Sequence, residues 1–170
     1  MIRRLPLLLT LVALLPAAAW AQNRTGRFEV YGGIYVPDDV ANKPTYGLRG
    51  GAKLTDLLGI EGSLGRIGFH EGSYKFDVTL ADISLKAYLA SGDRADFFLF
   101  AGPGWAYVQA KSSGNTLGRV DTFTAHAGAG VDLHISDRLY VRPDLRGRWF
   151  QKNHSNKLDW EGTLALGFNF

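Results

Sequence analysis

The chain has 170 residues, enough for one domain, and its lack of cysteine excludes disulfides, thiolate metal sites and a lipidated N-terminal cysteine. Its formal charge of +3 falls close to zero without Arg3 and Arg4, which leave 17 basic residues against 16 acidic ones. That balance excludes the basic surface by which proteins bind nucleic acid.

The first predicted element is an export signal at the N-terminus. Arg3 and Arg4 precede the apolar stretch Leu7–Leu15, and Ala19 and Ala21 occupy the −3 and −1 positions of an expected cleavage site. This order is typical of a secretory signal peptide, and the stretch is too short for a membrane helix, which needs roughly 20 residues. We expect residues 1–21 to be removed and residues 22–170 to form one domain.

Eight segments with alternating apolar and polar residues follow, separated by turn-forming residues. They span Arg27–Val36, Pro44–Leu54, Leu58–Phe69, Phe76–Leu89, Asp96–Gln109, Val120–Ile135, Arg138–Phe150 and Asp159–Phe170. Each is about ten residues or longer, the length that a tilted strand needs to cross a bilayer. An exported chain without an apolar helix can span a membrane only as a closed barrel. The sequence therefore predicts an all-β fold, an eight-stranded antiparallel up-and-down transmembrane β-barrel.

The connections between these segments alternate in length. Tight turns are expected at Thr55–Leu57, Ala90–Ala95 and Ser136–Asp137, and longer polar loops at Pro37–Lys43, His70–Lys75, Ala110–Arg119 and Gln151–Leu158. Outer-membrane barrels have short periplasmic turns and longer outer loops. We therefore expect both termini on the periplasmic side and the four loops outside the cell.

The alternation gives the predicted sheet one apolar face and one charged face. On the seventh segment Leu139, Val141 and Leu145 oppose Arg142 and Arg146. With the apolar face toward lipid, we expect an interior ionic network of six acids and six bases: Glu29, Arg49, Lys53, Glu61, Asp82, Lys86, Asp132, Arg142, Asp144, Arg146, Arg148 and Glu161. Eight strands enclose only enough space for side chains, and unpaired buried charges are costly. A plugged interior without a continuous pore is therefore predicted.

Two segments are harder to fit to this pattern. Pro103 and Pro143 fall inside the fifth and seventh segments, where a closed barrel uses its backbone donors. Both prolines are expected to project outward, with a bulge or a shared hydrogen bond beside them. In the fifth segment, Phe97–Phe100 is apolar at every position, so its register remains open.

No cofactor, metal site or catalytic group is predicted. His126 and His134 share the inner face with Asp132, but eight residues along a strand span roughly 26 Å, too far for shared ligation. His154 and Ser155 are the residue types that outer-membrane lipid A deacylases use, and such a lipid-modifying enzyme is the alternative function. Their adjacent positions direct the two side chains apart, whereas a nucleophile needs its base within reach.

The last segment carries the clearest family feature. Trp160, Leu164, Leu166, Phe168 and Phe170 share one face, and Phe170 is the final residue. Leu166, Phe168 and Phe170 resemble the C-terminal insertion signal of outer-membrane barrels. The whole domain resembles the OmpA-like and OmpX-like eight-stranded barrels. This resemblance implies outer-membrane lipid and the barrel-assembly machinery as partners.

The sequence therefore predicts a non-enzymatic, monomeric, integral protein of the bacterial outer membrane, with a structural or surface-interaction role. A soluble lipocalin-like barrel would need an apolar interior, and the charges clustered on one strand face argue against it. The aromatic residues Tyr46, Trp105, Tyr107, Trp149 and Trp160 are expected at the lipid headgroups, where amphipathic rings are favoured.

Overall fold

The structure of the protein is a computed structural model, which describes residues 26–37, 41–71, 74–112, 115–152 and 155–170. Eight antiparallel strands follow one another around a closed barrel. They are β1 (Gly26–Val36), β2 (Lys43–Lys53), β3 (Leu58–Glu71), β4 (Tyr74–Ser91), β5 (Ala95–Ser112), β6 (Asn115–His134), β7 (Leu139–Lys152) and β8 (Ser155–Asn169). The predicted eight-stranded antiparallel barrel is confirmed. Within the described ranges, no helix is long and apolar enough to cross a membrane.

Strands β1 and β8 close the barrel. They pair from Arg27 opposite Asn169 to Val36 opposite Trp160. Beyond that ladder, Gly26 and Phe170 exchange two backbone hydrogen bonds, with N···O distances of 3.0 and 2.9 Å. Closure pairs the backbone groups of both strands, as a sheet surrounded by hydrocarbon requires.

The two faces of the sheet differ as the alternation predicts. Leu145 and Leu164 point away from the barrel and are 52% and 59% exposed, whereas Arg146 and Glu161 point inward and are 2% and 1% exposed. A soluble protein buries its apolar face, so this inverted distribution is that of a protein whose outer surface contacts lipid. The charged face lines the barrel.

The structure fixes the register of β5, which the sequence left open. Phe98 and Phe100 are buried inside the barrel, and Phe97 and Leu99 are exposed on its outer face. Phe98 packs against Tyr88 of β4, with ring centroids 5.9 Å apart. Contact with the neighbouring strand therefore decides which of the four apolar residues face inward.

Pro103 and Pro143 each interrupt the ladder on one side only. Pairing of β4 with β5 skips from Asp82–Gly104 to Leu85–Ala101, while Pro103 stays paired with Ala125 of β6. Pairing of β6 with β7 likewise skips past Pro143, which stays opposite a leucine of β8. Both prolines are exposed on the outer face, as predicted. The register is the same before and after each gap, so neither proline causes a bulge in the ladder.

The three tight turns lie at the end of the barrel that holds the termini. In the first, the Thr55 hydroxyl accepts a hydrogen bond from the Leu58 amide, at 3.0 Å. In the third, the Ser136 hydroxyl accepts one from the Leu139 amide, at 3.1 Å. Hydroxyl residues stabilise turns through such local bonds. The second turn is shorter than expected, because β4 continues to Ser91 and β5 begins at Ala95.

Three of the four predicted long loops are wrong in extent. At the far end of the barrel the strands pair as far as Glu71–Tyr74, Ser112–Asn115 and Lys152–Ser155. The predicted loops at His70–Lys75, Ala110–Arg119 and Gln151–Leu158 are therefore largely strand. Polar composition suggested loops there, but backbone pairing in a hairpin does not require apolar side chains.

The barrel interior has an apolar layer at the end remote from the termini. Tyr35, Ile67, Leu80 and Ala106 are buried there in one cluster, and Phe150 packs against it. Charged side chains and a second buried cluster, Tyr88, Phe98 and Phe100, line the interior between this layer and the tight turns.

Candidate functional site

The candidate site is the charged interior of the barrel. Eleven of the twelve residues predicted for the ionic network are buried, and the twelfth, Lys53, keeps 21% of its side chain exposed at the turn end. Because the strands wrap around a closed cylinder, acids and bases that are distant in sequence meet across it. The contacts form three groups, each built around an arginine or an aspartate.

Arg142 on β7 is the centre of the first group. Its Nη1 lies 2.5 Å from Glu29 Oε1 and 2.7 Å from Glu61 Oε2, and its Nε lies 2.5 Å from Asp132 Oδ1. Glu61 also forms an ion pair with Lys86. One guanidinium therefore binds carboxylates from β1, β3 and β6. It can do so because its N–H donors point in several fixed directions.

Asp82 on β4 is the centre of the second group. It accepts hydrogen bonds from Arg146 Nη1 at 2.7 Å and from Arg148 Nη1 and Nη2 at 2.6 and 2.8 Å. Ser63 donates a further bond to it, at 3.1 Å. Glu161 Oε2 lies 3.7 Å from Arg148 and 4.0 Å from Arg146. Two arginines thus share two carboxylates, and all four charged groups are buried.

Arg49 and Asp144 form the third group. Arg49 Nη1 lies 2.6 Å from Asp144 Oδ2, and Thr163 donates to the same oxygen at 2.6 Å. The guanidinium lies over the ring of Tyr31, 4.2 Å from its centroid. Such stacking favours a buried cation beyond its ion pair.

Several interior residues were missing from the predicted network. Arg27 lies 2.5 Å from Asp132, and Asp96 lies 3.4 Å from Lys53. Tyr140 donates a hydrogen bond to Glu29 at 2.8 Å. Arg27 could have been predicted, because it lies two residues before Glu29 on the same strand and therefore points to the same face. Asp96 could not, because the register of its strand was open.

The two interior histidines have separate partners. His126 Nε2 lies 2.7 Å from the Ser84 hydroxyl, and its ring packs at a tilt against Phe100, with centroids 6.1 Å apart. His134 Nε2 lies 3.4 Å from Asp96 at the turn end. In the part of the chain that the structure describes, no group of three or more His, Cys, Asp or Glu side chains is arranged to hold a metal ion.

Two predicted sites fall outside the described residues. They are the cleavage positions Ala19 and Ala21, and His154 with the side chain of Ser155. The proposed insertion residues do lie in the described part. Leu166, Phe168 and Phe170 all point outward from β8, and the rings of Phe168 and Phe170 stack at 6.4 Å.

The predicted rim aromatics lie on the outer wall toward the end remote from the termini. Tyr46, Trp105, Trp149 and Trp160 are exposed, and Tyr107 is partly exposed. Trp105 meets Phe123 edge to face at 6.5 Å. These rings supply the amphipathic side chains that a membrane interface favours.

Comparison with known proteins agrees with this architecture. Residues 7–170 match the model of a family described as the outer membrane protein beta-barrel domain. The chain belongs to this family. It is accordingly an integral outer-membrane β-barrel. A comparison with curated protein sequences gives no match.

Solved structures of other outer-membrane barrels share the fold. The N-terminal β-barrel domain of Pseudomonas aeruginosa OprF is 21% identical, with a TM-score of 0.67 over 86% of this chain and 97% of that one. Neisserial surface protein A has a TM-score of 0.71 at 11% identity, over 88% and 98% of the two chains. Ail, the attachment invasion locus protein of Yersinia pestis, has a TM-score of 0.59 at 13% identity, over 86% and 98%. At these identities the likeness concerns the fold alone.

Proposed function

We propose that the protein is a non-enzymatic outer-membrane protein whose barrel is closed by its own side chains. It serves as a membrane anchor and scaffold, with a structural or surface-interaction role. The observation that carries this proposal is the paired charge of the barrel interior. Carboxylates and guanidinium groups from six strands bond one another across the space that a pore would need.

The size of the interior side chains supports a plug. Eight strands enclose only enough room for side chains. Arg49, Arg142, Arg146 and Arg148 are among the largest fully buried residues of the described chain, together with Tyr140. A hydrated ion entering from the end remote from the termini would also have to pass the buried, largely apolar layer, which offers few ligands in place of water.

The charges of the network balance. The twelve predicted residues comprise six acids and six bases, and Arg27 and Asp96 add one of each sign. A buried charge without a partner costs several kcal/mol, so a balanced set can stay buried without a bound ion.

Conductance across a planar bilayer tests the closed interior. We expect the folded monomer to give no steady current under conditions in which an inserted porin conducts. A reproducible ohmic conductance that scales with the amount of inserted protein would contradict the plug.

The absence of enzymatic activity is tested separately, on the lipid A of cells that express the protein. We expect its acyl pattern to be the same with and without expression. A change that the wild type causes and that His154→Ala or Ser155→Ala abolishes would favour the deacylase-like function instead.

Export, topology and assembly complete the proposal. We infer cleavage after Ala21, a monomer with its termini and tight turns in the periplasm, and recognition of Leu166, Phe168 and Phe170 by the barrel-assembly machinery. Sequencing of the mature protein should find Gln22 first. An N-terminus upstream of residue 20 in the mature protein would be inconsistent with this site.

A further inference from the structure

The outer wall of the barrel carries an apolar groove next to a single exposed arginine. The groove has a volume of about 320 Å³ and spans β1 to β4. Its outward-facing lining consists of Val30, Leu48, Leu64, Tyr46, Arg66 and Thr79. On a barrel embedded in a membrane, this wall faces lipid.

The lining residues form two rows across the strands. Val30, Leu48 and Leu64 lie opposite one another in the ladder and make an apolar row. A second, polar row lies two residues farther from the termini along β2 and β3, and it consists of Tyr46, Arg66 and Thr79. The order along the barrel axis is therefore hydrocarbon first and polar groups second, which is the order of groups within a lipid.

Two glycines and a buried tyrosine form the floor of the groove. Gly47 and Gly65 face inward beneath the polar row, and they complete the lining together with Tyr31. A Cβ on Gly65 would lie 2.2 Å from the Tyr31 hydroxyl, so the tyrosine can occupy that space only next to glycine. The groove therefore has a rigid floor made of backbone and one buried ring.

Arg66 gives the polar row a charge that a lipid headgroup can recognise. Half of its side chain, 52%, is exposed, and its Nη2 lies 3.2 Å from Asp77 Oδ1. A guanidinium has five N–H donors, and the carboxylate engages one of its nitrogens. The remaining donors can bind a phosphate, whose oxygens match the geometry of the guanidinium fork.

We propose that this groove binds a membrane lipid that carries phosphate on its headgroup, with an acyl chain along the apolar row and the phosphate on Arg66. Given the proposed orientation, with the termini in the periplasm, the lipid belongs to the outer leaflet. The binding itself depends only on the groove and the arginine.

The test measures which lipids stay bound to the barrel. The protein is assembled in nanodiscs of a galactosyl diacylglycerol, which carries no phosphate, with a small fraction of bisphosphorylated lipid A, extracted into mild detergent and examined by native mass spectrometry. Since lipid A is supplied in both leaflets, the result does not depend on the orientation of the barrel. Dephosphorylated lipid A with the same acyl chains serves as the matched probe.

We expect one lipid A to be retained by the wild type in preference to its dephosphorylated form. Arg66→Gln, which removes the charge, should reduce retention about tenfold, the equivalent of ~1.4 kcal/mol. Thr79→Trp should reduce it similarly by filling the groove. Arg119→Gln, a cation lost from an exposed position on β6, is the control and should retain lipid as the wild type does.

Heat-modifiable migration on gels verifies that each variant is folded before retention is compared. Equal retention by the wild type and folded Arg66→Gln would overturn the proposal. Equal retention of lipid A and its dephosphorylated form would overturn it as well. Loss of retention in Arg119→Gln to the same degree would show that nonspecific charge, and not the groove, holds the lipid.

Discussion

Replacing Asp82 by asparagine is the most direct test of the interior network. Asp82 is 2% exposed and accepts three hydrogen bonds from Arg146 and Arg148, at 2.6 to 2.8 Å. Asparagine has almost the same shape, so the packing is preserved. The substitution removes the negative charge and turns one oxygen into a donor group that faces a guanidinium.

The size of the effect follows from what remains after the substitution. Breaking a buried ion pair by removing one partner costs about 3–5 kcal/mol. Glu161 still lies 3.7 Å from Arg148 and 4.0 Å from Arg146, so it neutralises part of the positive charge that residue 82 no longer balances. We therefore expect Asp82→Asn to lower the free energy of unfolding by about 3 kcal/mol, the lower end of that range.

Asp96→Asn is the matched control. Its carboxylate contacts two cations, Arg27 and Lys53, and the ring of His134, but at 3.4 to 3.6 Å. Two of these partners are partly exposed at the turn end, 21% for Lys53 and 18% for His134. Asp96 itself is buried, but water can reach these two partners, so this substitution should cost about 1–2 kcal/mol, less than Asp82→Asn.

The assay is reversible urea unfolding of protein folded into lipid vesicles, followed by tryptophan fluorescence. The fraction folded is verified by heat-modifiable migration. Asp82→Asn should lower the midpoint clearly more than Asp96→Asn, with the same dependence on urea concentration. If the two variants are destabilised equally, or if Asp82→Asn costs less than 1 kcal/mol, the network does not stabilise the barrel as argued.

Three further experiments test other parts of the fold. Gly104→Ala would place a Cβ 2.1 Å from Asp82 Oδ1, so it should cost about 1–3 kcal/mol by overpacking in the same unfolding assay, and a neutral result would contradict the close approach. Leu145→Arg on the lipid-facing wall should cost about 2–4 kcal/mol, whereas Leu57→Arg in an exposed turn should cost about 0–1 kcal/mol; equal effects would argue against a lipid-facing wall at Leu145. Phe170→Ser should reduce the yield of folded protein in the outer membrane, measured by fractionation and gel migration, and wild-type yield would refute the proposed insertion residues.

Much of the fold could be predicted because the alternation of a strand is a local property. Successive side chains of a strand point to opposite faces whatever the strand pairs with. The inward positions of Arg142, Arg146 and Glu161 could therefore be predicted, because each lies one or three residues from an outward-facing leucine, Leu145 or Leu164. The same rule failed on β5, where Phe98 and Leu99 are both apolar and the residues themselves do not indicate a face.

The extent of the strands was predicted less well, for a different reason. Polar residues around Glu71 and Ser112 suggested loops, yet the strands continue there as paired hairpins. Hydrophobicity reports where the barrel meets lipid, whereas backbone hydrogen bonds decide where a strand ends. The two boundaries need not coincide once a hairpin extends beyond the membrane.

The alternation along the sequence was sufficient to predict an all-β barrel with apolar residues outside and balanced charges inside. Only the tertiary structure decided which charges meet. Arg142 bonds Glu61 across 81 residues of chain, and Asp82 bonds two arginines of a strand on another part of the wall. Such partners depend on the curvature of the closed sheet and on the stagger between its strands. No local pattern records either of these, because both are set when all eight strands pair at once.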